Sequence, residues 1–348
     1  MDNNNYCGLE GIEFVEYATP NPQMLETIFK DFGFSKTKKH TSKNINYYNQ
    51  NDIHFLINKE GNSFGEKFSK DHGPSICSMG FRVKNAQQAF DEAVKRGAKP
   101  ATDQGDYRYK NQLIPAIYGI GDSLVYFIDD YKDKDLYSEM EFDAIENPEI
   151  VKGKGFLAID HLTNNVENGT MQTWADFYKN VFGFTEVRYF DIKGAKTGLI
   201  SYALQSPCKS FCIPINEGTE DKSQINEYLR EYKGAGIQHL AFITDDILDS
   251  LDQMKGSSIE TLDIDDEYYG EVFDRVPNVT EDRTRIRNHN VLVDGDDDGY
   301  LLQIFTKNLV GPIFIEIIQR KNHNSFGEGN FGALFRSIEK DQEKRGVL

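Results

Sequence analysis

The sequence is short of cysteine, of positive charge and of long apolar runs, and each shortage excludes a class of protein. Four cysteines (Cys7, Cys77, Cys208, Cys212) in 348 residues do not make a disulfide scaffold. Lys and Arg number 39 against 56 Asp and Glu, a net charge of −17. Such a chain repels phosphate backbones and anionic lipid, so neither nucleic acid nor a membrane surface is expected as a partner. No run reaches the roughly 18 apolar residues of a membrane span. The opening MDNNNYCGLEGIEF also lacks the basic and apolar regions of a secretory signal. The expectation is a soluble, reduced, cytoplasmic protein. What is present is material for a core. Hydrophobic residues make up 39% and aromatics 12%, too many for a disordered acidic chain. The length suits about two domains. Histidine is scarce, with only His40, His54, His72, His161, His239, His289 and His323.

The chain repeats itself. Residues 11–34, GIEFVEYATPNPQMLETIFKDFGF, resemble residues 158–184, AIDHLTNNVENGTMQTWADFYKNVFGF. Each reads as an apolar strand, an Asn-rich turn and an amphipathic helix ending in Phe-Gly-Phe. The expected helix stripes are Met24, Ile28 and Phe29 in one, and Trp174, Phe177, Tyr178 and Val181 in the other. A second pair follows in the same order: SICSMGFRVKNAQQAFDEAVKRGA at 75–98 and GIQHLAFITDDILDSLDQMKG at 236–256. Asn85 and Asp245 or Asp246 suit helix N-caps, and Gly97 and Gly256 suit helix ends. Hairpins follow at 117–130 and 291–307. The strand–helix–strands unit therefore occurs four times, two per half. The charged, Gly-containing stretch 131–155 joins the halves. The expected domains are residues 1–135 and 150–348.

Repeats let one half act as a control for the other. Phe14 in the first half becomes His161 in the second, and Ser78 becomes His239. A lone strand His is most often a satisfied core or surface residue. Two at repeat-equivalent positions, in one half only, point to a shared site. Two His and a carboxylate on one face form the arrangement used by non-heme Fe(II) oxygenases. The strand PIFIEIIQR (312–320) offers Glu316 inside an apolar run. Buried without a partner, it would cost several kcal/mol. Pairing with Arg320, or pointing to solvent, accounts for it equally well from the strand alone.

These residues reach a resemblance. GFLAIDHLTNNV, GIQHLAF, GYLLQIFTK, FIEIIQR and FGEGNFGALFRSIE, in that order, are similar to the 4-hydroxyphenylpyruvate dioxygenase family of tyrosine and phenylalanine catabolism. The likeness is close over 150–345 and looser over 9–130. It implies an α+β vicinal-oxygen-chelate fold: four βαβββ modules forming two open β-barrel-like domains, plus a C-terminal helix. It implies His161, His239 and Glu316 as Fe(II) ligands. The implied reaction takes 4-hydroxyphenylpyruvate and O2 to homogentisate and CO2.

The resemblance also implies a substrate pocket. Ser201, Asn216, Gln224, Gln238 and Gln303 would supply its polar groups, with Gln238 and Gln303 also taking part in catalysis. Phe305, Phe314, Phe326 and Phe331 would enclose the ring. Phe326, Gly327, Asn330 and Phe331 would begin a covering helix, packed down by Leu334, Phe335 and Ile338. A homo-oligomer, dimer or tetramer, is implied too. Alternatives are hydroxymandelate synthase, with the same fold and substrate but benzylic hydroxylation, and a non-catalytic binding, haemolysis- or pigment-associated member. The turn at 294–299 resembles a calcium loop, but its twelfth position is Phe305, so a hairpin is expected. Cys208 and Cys212 are read as ordinary cysteines, and the terminal EKDQEKRG as a solvated helix end.

Overall fold

A computed structural model describes residues 4–132 and 136–348. The first half runs through β1 (Leu9–Ala18), α1 (Pro22–Asp31), β2 (Ser35–His40), β3 (Ile45–Gln50), β4 (Ile53–Asn58), α2 (Phe64–His72), β5 (Ser75–Val83) and α3 (Ala86–Lys95). A small hairpin, β6 (Arg108–Tyr109) and β7 (Gln112–Leu113), precedes β8 (Ala116–Tyr118), β9 (Leu124–Ile128), α4 (Leu136–Glu139) and β10 (Phe142–Ala144). The second half begins with β11 (Phe156–Val166), α5 (Met171–Phe177), β12 (Thr185–Lys193), β13 (Gly198–Gln205), β14 (Cys212–Gly218) and α6 (Gln224–Tyr232). It continues with β15 (Gly236–Thr244), α7 (Ile247–Met254), α8 (Asp266–Arg275), α9 (Arg283–Asn288), β16 (Leu292–Gly295), β17 (Tyr300–Phe305), β18 (Phe314–Lys321) and α10 (Phe331–Lys344).

Each half is an eight-stranded curled sheet, ordered β10-β2-β3-β4-β1-β5-β9-β8 and β12-β13-β14-β11-β15-β18-β17-β16. This is the α+β vicinal-oxygen-chelate plan. The second module is drawn more thinly than the others. Its counterpart of β16 shrinks to a single bridge from Pro100 to Ile117, closed by the flanking N–H groups of Ala101 and Tyr118. The expected first-domain end at residue 135 lies outside the described residues, and Phe142–Ala144 still pairs in the first sheet.

The repeat extends to its irregularities. In the central pair β1–β5, the ladder skips Glu10, Glu13 and Cys77. In the pair β11–β15 it skips Leu157, Asp160 and Gln238, the repeat-equivalent positions. A bulge inserts one residue and re-aims its side chain, so each half inherits the same three re-aimed positions.

Helix starts follow their side chains. Asn85 and Asp246 accept the backbone N–H of Gln88 and Asp249, each satisfying a donor that the first helical turn leaves free. The stripe on α1 is Leu25, Ile28 and Phe29, while Met24, expected there, is 40% exposed. The expected hairpin after β16 forms, its turn held by Asp296 accepting from the N–H of Asp298 and Gly299. The two halves share one core: Phe32 and Phe34 pack against Phe242 at 5.7 and 5.8 Å between ring centroids, and Phe32 against Phe156 at 6.0 Å.

Candidate metal centre and its cavity

Three neighbouring strands of the second sheet carry the three expected ligands. His161 on β11 stands opposite Ala241 on β15, and Ala241 stands opposite Glu316 on β18. Side chains paired across strands share a face, so His161 and Glu316 meet over the small Ala241. His239, two residues before Ala241 on its strand, projects to that same face. His161 Nε2 lies 3.0 Å from Glu316 Oε2, and His239 Nε2 lies 3.4 Å from it. All three are buried, and one donor atom from each lies within 4.8 Å of the others.

The bulges set the outer contacts. Asp160 Oδ2 is 2.8 Å from His161 Nδ1, and Gln238 Oε1 is 3.1 Å from His239 Nδ1. These partners take the Nδ1 protons, so that a neutral ring at either position turns its Nε2 lone pair toward Glu316. Two imidazole nitrogens and a carboxylate oxygen buried within 4.8 Å of one another suit a cation, so this donor set fits a metal ion. Electrostatics agree. Burial pulls the His161 ring down, but Glu316 and then Asp160 outweigh it and hold it up at about 9. Burial would raise Glu316, yet His161 and then His239 hold it down at about 2. His239 is lowered by its burial.

Arg320 does not pair with Glu316. Its Nε and Nη2 each lie 2.8 Å from the two oxygens of Asp160. Burial raises the Asp160 carboxyl, but Arg320 and then His161 hold it well below the usual carboxylate range.

The triad opens into a cavity of about 1180 Å³, including its solvent-open mouth. Ser201, Asn216, Gln224, Gln238, Gln303, Phe305, Phe314, Phe326 and Phe331 all line it. Phe314 stacks on His239 at 4.7 Å, and Phe326 meets His161 edge-on at 5.7 Å. Gln303 is fully buried, and neither atom of its amide has a hydrogen-bond partner. A buried amide left open in this way points to a missing ligand. Ser201, Asn216 and Asn165 stand in one row across β13, β14 and β11. Asn216 Nδ2 donates to Asn165 Oδ1 at 3.3 Å, while Asn165 Nδ2 has no partner.

Asn330 is not brought into this set. Its side-chain oxygen accepts from Tyr268 Oη at 2.7 Å and Arg275 Nη2 at 3.2 Å, so it anchors the start of the covering helix instead. Leu334, Phe335 and Ile338 on α10 do face the cavity. The terminal run is not wholly solvated. Glu339 is buried and accepts from the N–H of Lys196 and of Thr197, each at 2.9 Å. Gln342, also buried, donates to Glu227 at 2.8 Å. Phe190 on β12 was not among the expected residues, yet it lines the cavity and meets the Phe331 ring edge-on at 5.2 Å.

Comparison with known proteins agrees with this architecture. The family described as "Hydroxyphenylpyruvate dioxygenase, HPPD, N-terminal" matches residues 3–143. The family described as "Glyoxalase/Bleomycin resistance protein/Dioxygenase superfamily" matches residues 158–304. The chain is 62% identical to Protein MelA of Shewanella colwelliana, with 99% of each chain covered. It is 44% identical to a 4-hydroxyphenylpyruvate dioxygenase of Pseudomonas aeruginosa, covering all of this chain and 98% of the other. Among solved structures, a mutant of 4-hydroxymandelate synthase from Streptomyces coelicolor shares the fold, with a TM-score of 0.81 at 22% identity, covering 96% of this chain and 99% of that one. Among the described residues no helix is long and apolar enough to cross a membrane. With full-length identity to a named member and both halves matched, the chain belongs to the 4-hydroxyphenylpyruvate dioxygenase family of the vicinal oxygen chelate superfamily.

Proposed function

We propose that this protein is an Fe(II)-dependent dioxygenase that converts 4-hydroxyphenylpyruvate and O2 to homogentisate and CO2. The observation that carries the reading is the convergence of His161, His239 and Glu316 at the floor of a cavity walled by phenylalanines and open amides. Two imidazoles and one carboxylate on one face suit iron in oxygenases. Iron held there supplies the redox chemistry that couples decarboxylation of the keto acid to hydroxylation of the ring.

The chain's own groups do the rest. Asp160 and Gln238 hold the two imidazoles with their Nε2 atoms turned inward. Phe305, Phe314, Phe326 and Phe331 offer apolar surface to an aromatic ring. Gln303, with a free donor and a free acceptor, meets a polar group of the substrate. Ser201 and Asn216 on the opposite strands, with Gln224, provide neutral hydrogen bonding that suits a phenol. The α10 helix keeps water from the reacting centre.

The test is turnover of iron-loaded protein with 4-hydroxyphenylpyruvate, following oxygen uptake and identifying the product by mass spectrometry and NMR. Homogentisate is expected. 4-Hydroxymandelate would transfer the chain to the benzylic reaction, and no oxygen uptake by soluble, iron-loaded protein would leave a binding role. A His161→Ala variant should stay folded and lose both iron and turnover.

A further inference from the structure

The Arg320 guanidinium has contacts on two sides. Nε and Nη2 form a two-pronged pair with Asp160, whose Oδ2 also meets His161 Nδ1. Nη1 donates to two backbone carbonyls, that of Ser325 at 2.7 Å and that of His323 at 3.1 Å. Those carbonyls belong to the segment that leads from β18 into Phe326, whose ring lies edge-on to His161. One planar cation thus touches the ligand's orienting carboxylate and the segment that sets the cavity's roof.

The first half supplies the control. Its equivalent bulged acid, Glu13, also pairs with an arginine, Arg82 Nε at 2.6 Å. There the second arm of Arg82 goes to Asp52, and the other Glu13 oxygen accepts from Tyr137. Phe14 stands beside Glu13 where His161 stands beside Asp160. An acid–arginine pair thus recurs at this bulge, but the arginine comes from β5 in the first half and from β18 in the second, which are not equivalent strands. The contact to His161 Nδ1 and the two carbonyls belong to the second half.

We propose that Arg320 is a positioning residue that fixes the His161 imidazole through Asp160 and seats the 322–327 segment directly, so that ligand geometry and roof are set together. The inference rests on the reading of His161 as a metal ligand. Arginine is suited to the task, because its fork makes several planar contacts at once where lysine offers a single point of charge.

The experiment compares wild type, Arg320→Gln and Asp160→Asn, using anaerobic Fe(II) binding against a competing chelator and hydrogen exchange of the 322–330 segment in metal-free protein. Loss of outer contacts to a metal-bound imidazole typically weakens binding by about 10–100-fold, and both variants should show that loss. Only Arg320→Gln should speed exchange of the segment, because Asp160→Asn leaves the two carbonyl contacts in place. If Arg320→Gln does not fold, Arg320→Lys serves. It should keep a charge near Asp160, lose less iron affinity and still release the segment. Wild-type iron affinity in the arginine variant overturns the proposal, as does equal acceleration of exchange in the Asp160 variant. Neither readout uses substrate or oxygen. A wild type that binds iron but does not turn over 4-hydroxyphenylpyruvate would count against the activity alone, and one that binds no iron would overturn both.

Discussion

Gly327→Ala separates the roles of the roof and the cavity. Gly327 has φ +79°, in the left-handed region, and a Cβ built on it would lie 2.5 Å from both amide atoms of Gln303. Two costs follow. Placing alanine in that backbone region costs about 1 kcal/mol. The contact with Gln303 must also be relieved, and only the amide end can yield. It has no hydrogen bond to lose, so it swings toward the cavity cheaply in stability. The variant should therefore lose only about 2–4 °C in Tm. Function should suffer more. On the proposed function, moving this cavity-lining amide by about 1 Å can cost as much as 100-fold in rate. The assay is kcat/KM from oxygen uptake, beside calorimetry, for Gly327→Ala, Gln303→Ala and the double variant. In the double variant the Cβ meets empty space. Its turnover should then equal that of Gln303→Ala, while the backbone cost remains. Full additivity of the two effects on kcat/KM, or wild-type turnover in Gly327→Ala, would refute the reasoning.

Three further perturbations bear on other parts of the argument. Gly80→Ala in the first half would place a Cβ 2.6 Å from the Phe14 ring. Overpacking of this kind costs about 1–3 kcal/mol, so Tm should fall with iron affinity unchanged, and loss of iron binding would contradict the separation of the Phe14 cluster from the one that backs the strands of His161 and His239. Glu339→Ala removes the acceptor for the Lys196 and Thr197 N–H groups, at about 1–3 kcal/mol for the buried Thr197 donor left unpaired. Proteolysis should reach α10 sooner and kcat/KM should drop; an unchanged digestion profile would show that the contact does not hold the helix. Glu16→Gln addresses pH. Burial, reinforced by Asp106, raises the Glu16 carboxyl, so the folded state favours the protonated acid. That contribution is complete below the ordinary carboxylate range and is lost as pH rises through the raised value. Glutamine keeps acceptors for Tyr107 and Asn58 without the charge. The Tm advantage of the variant should therefore grow as pH rises above the ordinary carboxylate range, and parallel pH profiles would exclude it.

The ligands were legible because the duplication exposes them: only a comparison of IEFV with IDHL makes His161 stand out from an ordinary strand histidine. Glu316 was half-legible. Its apolar strand says that a carboxylate needs a partner, but the partner comes from strands 155 and 77 residues away. Asp160 and Gln238 were beyond reach as outer contacts. A bulge is a property of two paired strands, and neither strand's own alternation reveals it. Asn330 misled for a related reason: its motif predicts the segment, whereas the direction of its side chain is set by Tyr268 and Arg275. Glu339 and Gln342 sit in a charged run that reads as solvated, and only the β12–β13 turn and α6 lying over it turn them inward.

The half without the ligands explains why the other half can hold them. Where His161, Ala241 and Glu316 align across β11, β15 and β18, the first half aligns Phe14, Gly80 and Tyr126 across β1, β5 and β9. Phe14 and Tyr126 lie 5.9 Å apart between centroids, and Tyr107 packs on both. The same frame, given aromatics, fills its interior and needs no ion. That filled half then serves as a wall. Phe32 and Phe34 press on Phe242, which lies three residues beyond His239 and so on the opposite face of β15. Phe32 presses likewise on Phe156 at the start of β11. The strands that present the imidazoles are thus packed from behind by the metal-free half. The three side chains can hold a cation only while they stay close together, and strands free to shift would let them spread apart. A rigid aromatic backing denies them the movement, which is why a duplicated, plugged copy remains useful to a chain whose candidate metal-holding group lies in the other half.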